Sequence, residues 1–414
     1  MITVFNNTWA LFFGFSLICL AHGLQGTLLG VRSVIEEFSY VQTGFIVAGY
    51  YIGYLAGSII IPVLLKRVGH IRVFAALASL ASVAILFHSV FINPYSWFFI
   101  RILTGISLSG IFVIMESWLN EKSNNETRGR ILSVYMVITF GFVGLGQFLL
   151  NLSNPASVDL FILVSILLSL SLLPILLSIT EQPNLSNPKR ITLKELYIIS
   201  PLSFVGAFFT GLAHSTIFGY GAVYATTKNF STFEISIFMV ILLSLGALSQ
   251  LPIGYISDKI DRRVILIAVT FIAGAICIPI ILFSYLSITV FFLMVAIYSC
   301  MSLPMYSLVI ANVNDFLQPN EIVSASAAIA ILVGIGSILG PIFTSNLMTI
   351  AGADGFFIFL FIIHISLGLF GIYRMAKRNK PADLESQYVS LPRNISPAGM
   401  ELNPKVDPMN EVKN

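Results

Sequence analysis

Long unbroken apolar runs alternate with short polar interruptions along almost the whole chain. A membrane-crossing helix needs about 20 apolar residues. Twelve runs meet that length: 9–31, 42–64, 71–91, 95–119, 130–151, 157–179, 201–223, 231–255, 264–284, 287–311, 322–349 and 355–375. Barrel strands would alternate over about ten residues, and these runs are longer and continuous. Glycine and proline inside them are tolerated, because neighbouring helices satisfy the backbone groups they release. The pattern predicts an all-α membrane protein with 12 transmembrane helices. Composition agrees, at 57% hydrophobic and 10% charged residues, against about 25% charged in soluble domains.

The polar interruptions give the expected orientation. If both termini are cytoplasmic, 19 of the 22 Lys and Arg lie in cytoplasmic segments, with Arg32 and Lys228 opposite and Arg101 inside a run. Positively charged loops stay inside. The three tryptophans, Trp9, Trp97 and Trp118, stand at run ends, where an aromatic belt is expected. No Lys or Arg precedes the first run, so it is not expected to be a cleaved signal peptide. The chain divides into a bundle at 1–179, a cytoplasmic linker at 180–200 with a short surface helix over 194–199, a second bundle at 201–375, and a tail at 376–414. The tail carries five prolines and scattered charges, and is expected to be disordered on the cytoplasmic side.

The densest charge, Asp258, Lys259, Asp261, Arg262 and Arg263, forms a very short loop between two runs. Gly254-x-x-x-Asp258-Lys259-x-x-Arg262-Arg263 resembles the signature loop of the major facilitator superfamily. That loop joins the second and third helices of each six-helix half. The resemblance requires a second copy about half a chain earlier. Pro62 to Arg72 supplies it, at an offset of 192 residues (Pro62 to Gly254). The same offset carries Gly14, Leu20, Ala21 and His22 onto Gly206, Leu212, Ala213 and His214, and Gly144 onto Gly336. Further stretches are similar to the YcaD-like branch of bacterial inner-membrane transporters. They are Arg67-Val-Gly-His-Ile-Arg72, Glu116-Ser-Trp-Leu-Asn120, Asn125-Glu-Thr-Arg-Gly-Arg130, Tyr306-Ser-Leu, Asn314-Asp315 and Gly334-x-Gly-x-x-x-Gly-Pro341. The resemblance implies two pseudo-symmetric six-helix bundles, each of two three-helix repeats, around one central cavity. It also implies transport by rocking of the halves.

No P-loop, metal-ligand cluster or nucleophile-base set is present. Neither a cofactor nor a metal is expected, and no nucleic acid partner. The candidate chemistry lies in polar groups within the apolar runs, which are costly there unless they serve a purpose. Arg101, in Arg101-x-x-x-Gly105, resembles the superfamily's fourth-helix motif. It could grip a substrate carboxylate or phosphate, tune a proton site as the motif implies, or clamp backbone carbonyls of neighbouring helices. His22 and His214 occupy matching positions, and the resemblance puts their helices on the cavity. His22 and Gln25 share a helix face. Either histidine could carry a coupled proton or bind substrate, or simply tie helices together. Tyr50, Tyr54, Gln147, Gln250, Tyr298 and Tyr306 would suit a neutral polar solute. Packing between helices would give the same pattern.

The resemblance also implies a gating network of Lys66, Arg67, Arg72, Glu116, Arg128, Asp258, Arg262 and Arg263, made when the cytoplasmic side closes. The first loop departs from the motif, with Pro62 and Lys66 where Gly and Asp are usual. Gly336-x-x-x-Gly340-Pro341 resembles the antiporter motif but lies in the eleventh helix instead of the fifth, which leaves direction open. The expected function is secondary active transport of a small polar solute (a sugar, organic acid or similar metabolite) across the inner membrane by a monomer in the lipid bilayer. Proton coupling is expected through histidine, because no acid lies deep in a run. The alternatives are a uniporter without proton coupling and a transporter-like sensor, whose hook would be the tail.

Overall fold

The computed structural model describes residues 2–124, 126–177, 191–283, 287–377, 388–392, 395–404 and 406, with side chains from Trp9 onward. Among them are twelve long helices: α1 Ile2–Ile35, α2 Tyr40–Val68, α3 His70–Val90, α4 Pro94–Glu121, α5 Arg128–Leu152, α6 Asp159–Leu176, α7 Pro201–Thr227, α8 Thr232–Ser257, α9 Arg262–Phe283, α10 Ile288–Asn314, α11 Ile322–Ala351 and α12 Gly355–Lys377. A short helix, Leu193–Ile199, precedes α7. Residues 180–190 of the expected linker lie outside the described residues.

Several starts are fixed by local chemistry. Ser39 with Gln42 and Ser231 with Glu234 form capping boxes on α2 and α8, and Asn93 caps α4 ahead of Pro94. Two interruptions bend the spans. A π-helical turn at Ile241–Leu245 interrupts α8, and Leu303 and Pro304 break α10.

In lipid, helices associate through close backbone approach at small residues. A Cβ on Gly23 would lie 2.3 Å from the Val143 carbonyl oxygen, and one on Gly146 2.4 Å from that of Leu20, so α1 lies directly on α5. The second half repeats the contact. Gly211 would meet the Val333 oxygen at 2.3 Å and Gly336 the Phe208 oxygen at 2.2 Å, joining α7 to α11. These pairings match Gly23 with Gly211 (offset 188) and Gly146 with Gly336 (offset 190). The expected offset of 192 is therefore about one helical turn too long in the first helix of each half. His22 and His214 sit one turn out of register with each other, and their surroundings differ accordingly.

The halves meet on the face where α2 starts and α7 ends, termed here the closed face. The Tyr220 hydroxyl donates to the Tyr40 carbonyl at 2.5 Å, and Asn151 Nδ2 donates to Ser236 Oγ at 2.9 Å. Gly30 abuts Ala222, and a Cβ on Gly44 would fall 2.8 Å from Ser345 Cβ. The other face carries the ends of α2, α4, α8 and α12 and is termed the tail face.

There the chain returns. The tail, expected to be disordered and solvated, is seated between the helices over 388–392, 395–404 and 406. Leu391, Ile395, Met400, Leu402 and Val406 are all buried. These few apolar side chains find a pocket that only the assembled bundle provides. Two tryptophans also depart from expectation. Trp97 and Trp118 stand at helix ends but are wholly buried, and Trp97 Nε1 donates to the His88 carbonyl at 3.0 Å. They join helix ends, and only Trp9, 58% exposed, faces outward.

Candidate functional site

A cavity of about 240 Å³ lies between the halves. That is close to the lower end of small-molecule pockets. α1 contributes His22 and Thr27, α2 contributes Tyr50, Tyr51 and Tyr54, and α4 contributes Arg101 and Ser109. Thr139 and Gln147 come from α5, His214 from α7, Gln250 from α8 and Ser337 from α11.

Arg101 is the charged centre of this surface. Its guanidinium carbon stands 4.3 Å over the Tyr50 ring, a cation–π contact. Arg101 is 8% exposed. Among the described residues no carboxylate pairs with it, and none lines the cavity. His22 lies beside the same ring, with centroids 6.1 Å apart, and 6.2 Å from Phe112. Tyr50, Tyr51 and Tyr54 form one aromatic group, with centroids at 5.1 and 5.9 Å. Arg101, His22 and the α2 tyrosines thus come together on the wall made by the first half.

The other expected residues divide. His214 reaches the cavity wall, but its Nε2 stands 3.1 Å from the Ser302 carbonyl, tying α7 to α10. Gln147 also lines the cavity while clamping α5 to α1. Its amide donates to the Gly23 and Val143 carbonyls at 3.0 Å each, and its oxygen accepts from Thr27. Gln250 accepts from Ser307 at 3.2 Å, linking α8 and α10. Gln25, Tyr298 and Tyr306 are buried away from the cavity lining. Tyr298 packs on Phe357 and on His364, 5.5 Å away, and so belongs to the α10–α12 contact. The break at Leu303 and Pro304 turns the two ends of α10 differently, so its tyrosine stripe does not continue along one cavity wall.

The expected gating network is not one assembly in this conformation. Lys66, Arg67 and Arg72 are exposed on the tail face. Glu116 is wholly buried, and it accepts a hydrogen bond from the Tyr135 hydroxyl and another, 2.8 Å, from the Ser396 backbone N–H. In the second half Arg262 bonds Asp258 at 2.8 Å and approaches Asp315 at 3.3 Å, the latter pair almost fully enclosed. Arg263 forks onto Asp261 at 2.6 Å. Arg128 donates to the Val406 carbonyl at 3.1 Å. The network's groups from α4, α5 and the 258 loop therefore meet tail backbone in place of the first-half loop cations. The ion pairs described above on this face, at Arg262 and Arg263, both lie within the second half.

Sequence reasoning missed two features. Asp315, quoted only as part of a branch motif, is the buried partner of Arg262. The tail segment forms part of the cavity wall through Leu391, Ile395, Ser396 and Pro397.

Comparison with known proteins places these features in context. The model for the Major Facilitator Superfamily matches residues 11–341. An uncharacterized MFS-type transporter YcaD from Escherichia fergusonii is 26% identical over 337 residues, covering 81% of this chain and 87% of its own length. Its counterpart from an Escherichia coli strain is 25% identical over the same span. Among solved structures, a mutant form of nucleoside transporter NupG superposes with a TM-score of 0.74 at 12% identity, covering 88% of this chain and 98% of its own. A bacterial homologue of the human lysosomal transporter Spinster, inward-facing and occupied, gives a TM-score of 0.71 at 16% identity, covering 91% and 99%.

Proposed function

Because the chain belongs to the major facilitator superfamily, we propose that it moves a small organic anion across the bacterial inner membrane by alternating access, with the tail face in the cytoplasm. The observation that carries the substrate class is Arg101. A guanidinium in a membrane interior is costly unless something answers its charge. Here the surrounding wall offers aromatic faces and hydroxyls but no acid. A carboxylate or phosphate on the solute would supply the missing charge through a bidentate fork, and the tyrosines would hold its body by stacking and hydrogen bonds. His22, on the same wall, is the candidate proton carrier. His214 serves mainly as a tie to α10. The cationic loops of the tail face support the cytoplasmic orientation.

A thermal-shift screen in detergent tests the substrate class. The panel sets mono- and dicarboxylates and phosphate esters against neutral sugars and amino acids. A ligand at 100 times its Kd stabilises by about 2.7 kcal/mol. Anions are expected to raise the Tm of the unaltered protein, and Arg101→Gln to abolish that response while keeping the ligand-free Tm within a few degrees. Stabilisation by neutral solutes alone, unchanged in Arg101→Gln, would remove the anion reading.

A further inference from the structure

The tail segment occupies a built site. Its backbone N–H at Tyr388 donates to Asp258 Oδ1 at 2.7 Å, on the second half. Eight residues later the N–H of Ser396 donates to Glu116 Oε2 at 2.8 Å, on the first half. Between them the N–H of Leu391 donates to Ser307 Oγ of α10 at 3.0 Å, and its carbonyl stands 3.3 Å from the same hydroxyl, whose single hydrogen it shares with Gln250. Beyond them Arg128 holds the Val406 carbonyl at 3.1 Å, and Asn120 bonds the Glu401 carboxylate.

Shape matches at two glycines. A Cβ on Gly254 would fall 2.2 Å from the Tyr388 ring, and one on Gly399 would fall 2.7 Å from the Glu116 carboxyl carbon. Both are places where only a bare backbone allows the approach. Burial holds the Tyr388 phenol well above its usual range, so it stays neutral in its seat.

Each anchor alone could be a surface contact. Together they form one strap, non-helical at 388–392 and coiled into a short helical turn at Pro397–Met400, that crosses from α8 and α10 to α4 and α5 and caps the cavity on the tail face. Its two carboxylate anchors, one from each half, accept main-chain N–H groups of the tail, while Leu391, Ile395 and Met400 fill the space between the helices, so the site reads the order of apolar side chains as well as the backbone. Such a strap fits only while the halves stand apart on this face. Rocking them together would remove the space that Leu391, Ile395 and Met400 fill.

We propose that the tail-face vestibule is a peptide-binding site whose resident ligand is the tail segment seated there over 388–392, 395–404 and 406, and that this ligand must leave before the cavity opens on that face or the halves close there. Binding one conformation and not the other biases the equilibrium toward the bound one. The proposal needs no knowledge of the transported solute, so it stands or falls separately from the organic-anion reading.

The test uses full-length protein in which Cys19, Cys277 and Cys300 are replaced by Ala and Ala330, on the cavity wall, is changed to Cys. A bulky, membrane-impermeant maleimide is applied from the tail face. With the natural tail, labelling is expected to be slow. The pair Leu391→Asp and Ile395→Asp, which leaves every membrane helix untouched, is expected to speed it at least tenfold. Equal rates in the two proteins would overturn the plug. A synthetic peptide of residues 388–406 added to the double variant should restore slow labelling, and a scrambled peptide should not. If both peptides, or neither, slow the reaction, the site does not recognise this segment and the proposal fails. Should the double variant not reach the membrane, Gly399→Leu in the full chain takes its place with the same two expected outcomes.

Discussion

At the scale of single residues, the polar groups of this membrane interior separate into those that face the cavity and those that tie helices together. Gln147 does both, and its ties predict its behaviour. Replacing it with Leu leaves the Gly23 carbonyl without its donor and Thr27 without its acceptor. Interhelical hydrogen bonds in membranes are worth about 0.6 kcal/mol on average and up to about 1.7. Gln147→Leu is expected to lower the detergent Tm by a few degrees while anion-induced stabilisation persists. The buried Arg262–Asp315 pair should weigh more. Removing one member of an enclosed pair costs roughly 3–5 kcal/mol when the other charge is left alone, and less here because Asp258 still bonds Arg262, whereas an exposed charge such as Lys66 is worth about 0.5 kcal/mol or less. Chemical denaturation of Asp315→Ala beside Lys66→Ala should reproduce that contrast, and comparable midpoints would contradict the geometry. The place of Arg101 on the cavity wall could be anticipated because a lone cation in an apolar run has few structural excuses. Gln25, Tyr298 and Tyr306 were misplaced for the complementary reason. A helix surrounded by other helices has no single polar face, so spacing says which residues align but not what they align toward.

At the scale of elements, the apolar runs gave twelve helices to within a few residues, because span length is imposed by bilayer thickness and not by subtle propensity. What pairs these helices is glycine. In the first half a Cβ on Gly53 would lie 2.0 Å from the Ile102 carbonyl oxygen, and one on Gly105 2.1 Å from that of Tyr50. No side chain can be added there without parting α2 from α4, and the same contact positions Tyr50 under Arg101. Gly105→Leu is therefore expected to prevent accumulation of folded protein, read as loss of the monodisperse peak on size-exclusion chromatography of detergent extracts. Gly141, with open space around its Cβ position, should tolerate Leu in the same assay. The repeat was visible in the sequence, but its register was not. Glycine and leucine recur often enough that a shift of one turn still matches. Only the contacts of Gly23, Gly146, Gly211 and Gly336 with facing carbonyls reveal the slip that separates His22 from His214.

At the scale of the whole molecule, the closed face and the tail face are held by different means. The closed face is a direct seam between the halves, made at Tyr40 and Tyr220 and at Gly44 and Ser345. Cysteines placed at Gly44 and Ser345 would start with Cβ atoms 2.8 Å apart, so the seam must part by about 1 Å to reach the roughly 3.8 Å a disulfide prefers, and with that small shift they are expected to cross-link under mild oxidation. The cross-linked protein is expected to keep its anion-induced thermal shift but to lose counterflow of the bound anion in proteoliposomes, with recovery on reduction. Transport that survives complete cross-linking would show that this seam need not open. The tail face was illegible in the sequence. Leu391, Ile395, Met400, Leu402 and Val406 are sparse among prolines and charges, and their composition is that of a solvated segment. The vestibule that receives them is built from groups 84 to 281 residues away in the chain.

Where the tail is attached sets how strongly it has to bind. Tyr388 follows the end of α12 at Lys377 by ten intervening residues, 378–387. A ligand on so short a tether meets its site at a local concentration in the millimolar range. An intrinsic Kd of about 10 μM would then keep the vestibule about 99% filled, and a tenfold loss of affinity would still leave it about 90% filled. A soluble competitor of equal affinity would have to approach millimolar levels to displace the strap. An agent acting on the strap itself, such as a protease, a modifying enzyme or a protein that grips it, could empty the site at trace concentration. With the tail as the proposed ligand, this face would be insensitive to the surrounding pool of small solutes and responsive to rare macromolecules.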